Sequence, residues 1–372
     1  MSEYQYYEFQ ALDQPLTTDA QQEMQRLSSR VQLTASSASF VYNYSDFRGN
    51  PYDILAKYFD AMLYMTNWGT RQIMFRFPRL AIPAQIQAQY QYIEYMDWSS
   101  IGNYTILNIA YHDESGDWGW VEGEGWLPGI ASLRNDILRG DYRALYLAWL
   151  DAASYEFEFL EDDEDLTGPP IPPNLQKLSP ALKNFAEFFE LDSDLLTVAT
   201  QYSPTVKPSD EVLSVHLARL PASEKDTFLE RLLHGEAHLD IALAARLREL
   251  AGPIQTAPPK TKCSLRQLMG EAQQLAEQRQ ADAQKQAEIK RLKNLERIAQ
   301  QESELWGRIP GLIGQKKTSA YDEAVRILKD LRSLAEHRGR LTEFQDKMID
   351  IQDQYPTLRG LHRRMCDAGL MT

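Results

Sequence analysis

The chain has 372 residues, 43% hydrophobic and 25% charged, which suits two or three globular domains and excludes a collagen-like or wholly disordered protein. Two cysteines exclude a disulfide scaffold, and the absence of any long apolar run or secretion signal predicts a cytoplasmic protein with no membrane partner. The formal charge of −14 is uneven: residues 1–165 hold 25 Asp and Glu against 10 Lys and Arg, which disfavours nucleic-acid binding there.

The first 160 residues predict an acidic, aromatic-rich α+β domain, because six of the seven Trp and 16 of the 19 Tyr lie in it. Helices are predicted after Pro15, from Asn50-Pro51 through Leu63, and from Pro128. Strands are predicted at 4–12, 39–44, 71–77, 92–96 and 104–111. This order indicates a mixed sheet covered by helices. No glycine-rich phosphate loop of the standard kinds occurs, and no cofactor is predicted.

An acidic run followed by a Pro-rich stretch at 161–174 predicts a domain linker, since proline propagates neither helix nor central strand. Residues 175–252 then predict a helical domain, and 253–263 a second linker. Residues 264–372 predict a long helix and a C-terminal helical hairpin, a solenoid-like tail. Within the long helix, 276–290 is polar nearly all round, which indicates either a solvated bridge between packed ends or a mobile arm.

Three segments resemble a family of uncharacterised bacterial proteins: residues 6–11, residues 220–226, and residues 321–332. The last segment also resembles the helical tails of bacterial proteins that carry SWIM zinc fingers. The CxCx(n)CxH pattern of the finger itself is absent. The resemblance implies a bacterial cytoplasmic protein with a helical-repeat tail, and it assigns no functional residue.

An acidic and aromatic segment is the most conspicuous candidate site. Its carboxylates are Asp113, Glu114, Asp117, Glu122 and Glu124, and its tryptophans are Trp118, Trp120 and Trp126. The default interpretation is a glycine-rich hairpin tip with exposed acids. The tryptophans also suit a docking surface for a protein partner, because aromatic residues dominate interface hot spots. As a third interpretation, the carboxylates could bind a divalent metal.

The remaining candidates are weaker. His234 and His238 have the i, i+4 spacing of a helical zinc site, although Glu236 fits neither HExxH nor HxxEH, and an exposed helix surface is the simpler interpretation. Cys366 lies four residues after His362, a spacing that seldom gives an enclosed nucleophile. A basic set in the C-terminal third could contact phosphates: Lys316, Lys317, Arg359, Arg363 and Arg364.

The sequence therefore predicts a non-enzymatic protein-interaction or adaptor protein of a bacterial complex, whose partners are other proteins. One alternative is a metal-dependent enzyme that uses the carboxylates of residues 113–124. A second alternative is a nucleic-acid accessory factor acting through the basic C-terminal helices, where residues 260–372 hold 21 Lys and Arg against 16 Asp and Glu.

Overall fold

A computed structural model describes most of the chain. The described residues are 4–43, 46–92, 94–112, 123–157, 168–206, 216–234 and 264–371, together with residues 239, 242, 243, 246, 247 and 250. The chain forms two compact units, Met1–Leu275 and Ala276–Thr372. The predicted linkers at 161–174 and 253–263 lie mostly outside the described residues, and the predicted domain boundaries stay predictions.

The first unit contains a seven-stranded sheet of order β2-β3-β1-β4-β5-β7-β6. Its strands are β1 Gln5–Gln10, β2 Gln32–Leu33, β3 Ser37–Tyr42, β4 Ala61–Thr66, β5 Thr70–Pro78, β6 Met96–Ile101 and β7 Tyr104–His112. All pairs among these strands are antiparallel, where a mixed sheet was expected. Short turns at 67–69 and 102–103 explain part of the difference, because a tight turn can only join antiparallel strands.

Two helices cover one face of the sheet: α1 Thr18–Leu27 and α2 Pro51–Tyr58. Thr17 caps α1 by accepting from the amide of Ala20, and Asn50 caps α2 by accepting from the amide of Tyr52. Strand alternation directs Phe9 of β1 into this core, together with the residues of neighbouring strands that lie on the same face of the sheet. The sequence predicted the start of both helices correctly.

Further helices cover the opposite face, where β5 contributes Ile73, Phe75 and Phe77. They are α4 Trp126–Ile130, α5 Leu133–Leu138, α6 Arg143–Phe157, α7 Pro180–Phe188 and α8 Ser193–Tyr202; a short α3, Ala84–Gln89, precedes β6. Nine residues of α6 are buried, so this helix lies at the centre of the larger core. An α9, Ala222–Leu233, belongs to the same unit and buries none of its residues.

Two predicted elements differ from the structure. The helix expected to reach Leu63 ends at Tyr58, and Ala61–Thr66 is strand β4 at the centre of the sheet. The strand expected at 92–96 is instead β6, Met96–Ile101, and Tyr92 contributes only a single bridge to Met96.

A long helix, α10 Leu265–Gln300, contributes its first turns to the core of the first unit and its last turns to the core of the second. Every side chain from Ala276 to Asn294 is exposed. The second unit continues with α11 Glu302–Gly314, α12 Thr318–His337, α13 Leu341–Gln354 and α14 Arg359–Asp367. The predicted hairpin corresponds to α12 and α13, which the left-handed Gly339 separates.

The sheet and the helical C-terminal region confirm the α+β fold class. Among the described residues, the helices are all too short or too polar to cross a lipid bilayer.

Candidate functional site

Most of the predicted acidic and aromatic site lies outside the described residues. This applies to Asp113, Asp117, Trp118, Trp120 and Glu122, and also to His238. Of the residues predicted for this site and for the histidine pair, the structure describes Glu124, Trp126 and His234. The docking and metal interpretations of the segment stay predictions.

Trp126 begins α4 and is half-buried, with its ring centroid 5.6 Å from that of Phe188 on α7. The chain reaches α4 through Gly123, whose backbone lies directly against the Tyr6 ring on β1, and through the left-handed Gly125. The tryptophan side chain therefore packs against other residues of its own unit. It packs against the edge of the larger core and is not a fully exposed side chain.

Glu124 lies near a buried acidic group that the sequence analysis did not single out. Glu8 on β1 accepts a hydrogen bond from the Tyr6 hydroxyl at 3.1 Å. Burial raises the pKa of Glu8, and the negative charge of Glu124 raises the same pKa further, whereas the Tyr6 hydrogen bond lowers it. The structure thus brings a predicted carboxylate close to a second, buried one on the sheet.

A charged cluster lies near the first residues of β5. The Arg71 guanidinium donates to the Phe188 carbonyl and lies 2.5 Å from Oε1 of Glu190. Burial, assisted by the charge of Glu190 and opposed by that of Arg71, raises the pKa of Asp151 on α6 to about 7. Carboxyl groups perturbed in this way occur at functional sites and also in structural ion-pair networks. Arg71 sits at an inward position of an alternating strand, which is the only sequence signal that could have indicated it.

A second buried network joins the strands to α5. Arg134 and Asp60 are each 1% exposed. Arg134 makes a two-pronged contact with Asp13 at 2.7 and 2.8 Å, and its Nε donates to the Arg76 carbonyl at 2.6 Å. Asp60 accepts from Arg76 at 2.7 Å and from the amides of Leu12 and Asp13 at 2.7 and 2.9 Å.

The network adjoins an open pocket of about 700 Å³ between α1, α2 and the β6–β7 turn. Arg76 forms part of its wall, with the guanidinium 4.3 Å from the ring centroid of Tyr104. Two arginines and two aspartates in mutual contact neutralise each other, and three of the four are nine-tenths or more buried. We interpret this cluster as a structural clasp that fixes the segment before α1.

The second unit contains a groove of about 500 Å³ between the last turns of α10 and α12. Its wall is formed by Leu292, Leu295, Glu296, Ala299, Gln300, Leu334, His337 and Arg338. Leu295 and Leu334 are buried at its floor, whereas Leu292 is 37% exposed at its side. Ile289, 44% exposed, continues the same face of α10 by one turn. The result is an apolar cleft that continues onto an exposed helix face.

The segment of α10 that includes the groove residues has an excess of basic residues. From Lys285 to Arg297, α10 carries five Lys or Arg and two Glu. The exposed pairs Lys285–Asp282 and Arg291–Glu288 are long, at 3.5 and 3.6 Å, and pairs of this kind contribute little binding energy of their own. The groove therefore combines an apolar floor with a wall that carries both signs, Glu296 and Arg338, within a segment of α10 that is basic overall.

The basic residues predicted to contact phosphates are spread over several elements of the same unit. Lys316 and Lys317 are exposed before α12, and Arg359 is exposed on α14. Arg364 lies 2.6 Å from Asp322, and Arg363 lies 4.0 Å from Asp367. Two of the five thus have carboxylate neighbours, which lowers the charge available to a phosphate.

The histidine and cysteine candidates have surface positions. His234 is exposed and follows the last residue of α9. Cys366 is exposed on α14, and the His362 ring lies 3.0 Å from the Tyr355 carbonyl. Within the described part of the chain, no three His, Cys, Asp or Glu residues come together in a way that could hold a metal ion.

Comparisons with models of known protein families, with curated proteins and with solved structures give no match to this chain. The resemblance to bacterial proteins with helical tails therefore stays a prediction.

Proposed function

We propose that the protein is a non-enzymatic adaptor of the bacterial cytoplasm, and that the groove between α10 and α12 binds a helix of a partner protein. The observation that carries this proposal is the exposed apolar face formed by Ile289 and Leu292 beside the buried floor of the groove. Apolar side chains arranged along one helix face next to a cleft suit the packing of a further helix.

The net positive charge of α10 from Lys285 to Arg297 favours an acidic partner segment. The excess of Lys and Arg on α10 from Lys285 to Arg297 would attract such a segment and repel a basic one. The expected ligand is therefore an amphipathic helix with apolar residues at i, i+3 or i+4 and with Asp or Glu at its flanks.

The clasp of the first unit also favours a role other than catalysis. In the clasp, Arg134 pairs with Asp13, Arg76 pairs with Asp60, and both arginines and Asp60 also bond backbone groups. Groups held in this way stabilise a local structure and leave little freedom to exchange protons with a substrate.

The proposal is tested by capturing partners with tagged full-length protein and with its Leu292→Asp variant, followed by quantitative mass spectrometry. A buried carboxylate in the groove should lower recovery of the true partner by tenfold or more. The matched control is Ile349→Asp, because Ile349 is 53% exposed on α13 of the same unit and does not line the groove. A synthetic peptide of the partner's acidic helix should then bind the wild type and the control, and fail to bind Leu292→Asp.

Recovery of the same proteins by the wild type and Leu292→Asp would contradict the proposal. A fluorescent 20-base-pair DNA duplex tests the nucleic-acid alternative, which requires binding that weakens steeply with salt. Thermal stabilisation by Mg²⁺, Mn²⁺, Ca²⁺ or Zn²⁺ would favour the metal-dependent alternative instead.

A further inference from the structure

The pocket beside the clasp has the size and the lining of a site for a small organic molecule. Its volume is about 700 Å³, which is within the usual range of ligand pockets in proteins. Pro15, Pro78 and the rings of Tyr58 and Tyr104 contribute the apolar part of its wall. Four charged residues contribute to the same wall, and their accessibility and their bonds decide which ligand fits.

The two carboxylates of the wall are already engaged within the protein. Asp60 is 1% exposed, and each of its side-chain oxygens accepts at least one hydrogen bond. Both side-chain oxygens of Asp13 accept from the guanidinium of Arg134, at 2.7 and 2.8 Å. A cationic ligand would have to compete with arginine for these oxygens, which disfavours a cation as the occupant.

Arg76 supplies a donor to the wall that is not used within the described part of the chain. The residue is 9% exposed and lies on β5, between β4 and β7. Its Nη1 donates to the Ala56 carbonyl at 2.9 Å and its Nη2 to Asp60 at 2.7 Å, whereas its Nε is buried and has no acceptor there. Buried donors without an acceptor are rare in folded proteins, so this one favours a ligand that brings an oxygen atom to the guanidinium.

Lys57 is the accessible charge at the mouth of the pocket. Its side chain is 64% exposed, and its Nζ lies 3.3 Å from Oε2 of Glu23 on α1. The Tyr58 hydroxyl donates to the same carboxylate. Because exposed ion pairs of this kind contribute little stability, an anion that enters the pocket can replace Glu23 as the partner of Lys57.

We propose that this pocket binds a small aromatic anion. The anionic oxygens accept hydrogen bonds from Lys57 and Arg76, and the ring packs on the apolar wall beside Tyr104. Arg76 and Tyr104 already hold each other in place, with the guanidinium 4.3 Å from the ring centroid, so this part of the site is formed before a ligand binds. A carboxylate and a phosphate group offer the same kind of oxygen acceptor.

The ligand class is tested with benzoate and phenyl phosphate, two probes that share the aromatic ring and differ in the anionic group. Isothermal titration calorimetry of the full-length protein should show saturable binding of at least one of them, with a Kd of about 1 mM or lower. Benzamide has the shape of benzoate without its charge, and it should bind at least about tenfold more weakly. The probe that binds more tightly identifies the preferred anionic group.

Two substitutions at the mouth of the pocket should change the affinity in opposite directions. Lys57→Met removes the cation and should weaken binding of the better probe at least about fivefold. Glu23→Gln removes the competing carboxylate and should strengthen binding about twofold or more. Lys183→Met, at an exposed position on α7, is the matched control and should leave the affinity unchanged.

Three outcomes would overturn the proposal. The first is the absence of saturable binding of either probe at about 10 mM. The second is equal binding of benzoate and benzamide, which would show that the negative charge is not recognised. The third is an equal effect of Lys57→Met and Lys183→Met on the affinity, in variants whose circular dichroism spectra match that of the wild type.

Discussion

Arg134 and Asp13 form a two-pronged ion pair although 121 positions of sequence separate them, with Nη1–Oδ1 and Nη2–Oδ2 at 2.7 and 2.8 Å. The contact ties the segment before α1 to the helix α5. Asp60 lies 3.4 Å from the same guanidinium, so a single arginine neutralises parts of two carboxylates.

Arg134→Met should destabilise the first unit by about 3–5 kcal/mol, because it leaves Asp13 without its guanidinium partner and Asp60 with Arg76 as its remaining ion-pair partner. Urea unfolding followed by tryptophan fluorescence measures this change, since six of the seven Trp lie in the first 160 residues. Arg139→Met, at an exposed position immediately after α5, serves as the control and should change the free energy of unfolding by less than about 0.5 kcal/mol. Equal effects of the two substitutions would refute a structural clasp.

Asp151 should make the first unit less stable as the pH rises. Its pKa is about 7 in the folded chain against 3.8 for a free aspartate, so the folded state holds a proton that the unfolded state releases between about pH 4 and pH 7. Asp151→Asn removes this penalty. The variant should gain up to about 4 kcal/mol over the wild type at pH 8 and little at pH 4.

Urea titrations from pH 4 to pH 8 measure the pH dependence of Asp151. Glu187→Gln, an exposed substitution on α7, should leave the wild-type dependence unchanged. A gain for Asp151→Asn that is the same at every pH would show that packing, and not charge, is responsible.

Gly123→Ala should destabilise the first unit by about 1–3 kcal/mol. A Cβ atom at Gly123 would lie 2.2 Å from Cδ1 of Tyr6 and 2.8 Å from its Cβ, and Tyr6 is too buried to move away freely. Gly311→Ala tests the opposite case, because a Cβ there contacts nothing within 4 Å in the interior of α11. This second change should stabilise the second unit by up to about 1 kcal/mol. Thermal unfolding followed by circular dichroism compares both variants, and stabilisation by Gly123→Ala would contradict the observed contact.

Much of the fold could be predicted because local patterns and tertiary packing agree. The Asn50-Pro51 cap and the alternation from Ile73 to Phe77 gave the correct elements. β4 was missed because it is buried on both faces, so its continuous apolar run matched the helical spacing of the preceding residues. β6 was misplaced because an edge strand tolerates polar residues such as Ser99 and Ser100.

The charged clusters could not be predicted from one sequence. Arg71 contacts Glu190 across 119 positions, and no local pattern indicates which distant carboxylate an arginine will meet. The groove between α10 and α12 could not be predicted from the sequence either. Periodicity shows that Leu292 and Leu334 lie on apolar helix faces, but it does not show that a cleft remains beside them.

From Ala276 to Asn294 no side chain is buried, so the helix there depends on its own backbone hydrogen bonds and on the intrinsic preference of Ala, Gln, Glu and Lys for helix. Amide hydrogens in this stretch should therefore exchange with solvent through local helix–coil opening. Those near Leu268 and Ile298 should exchange more slowly, because their turns pack into a core.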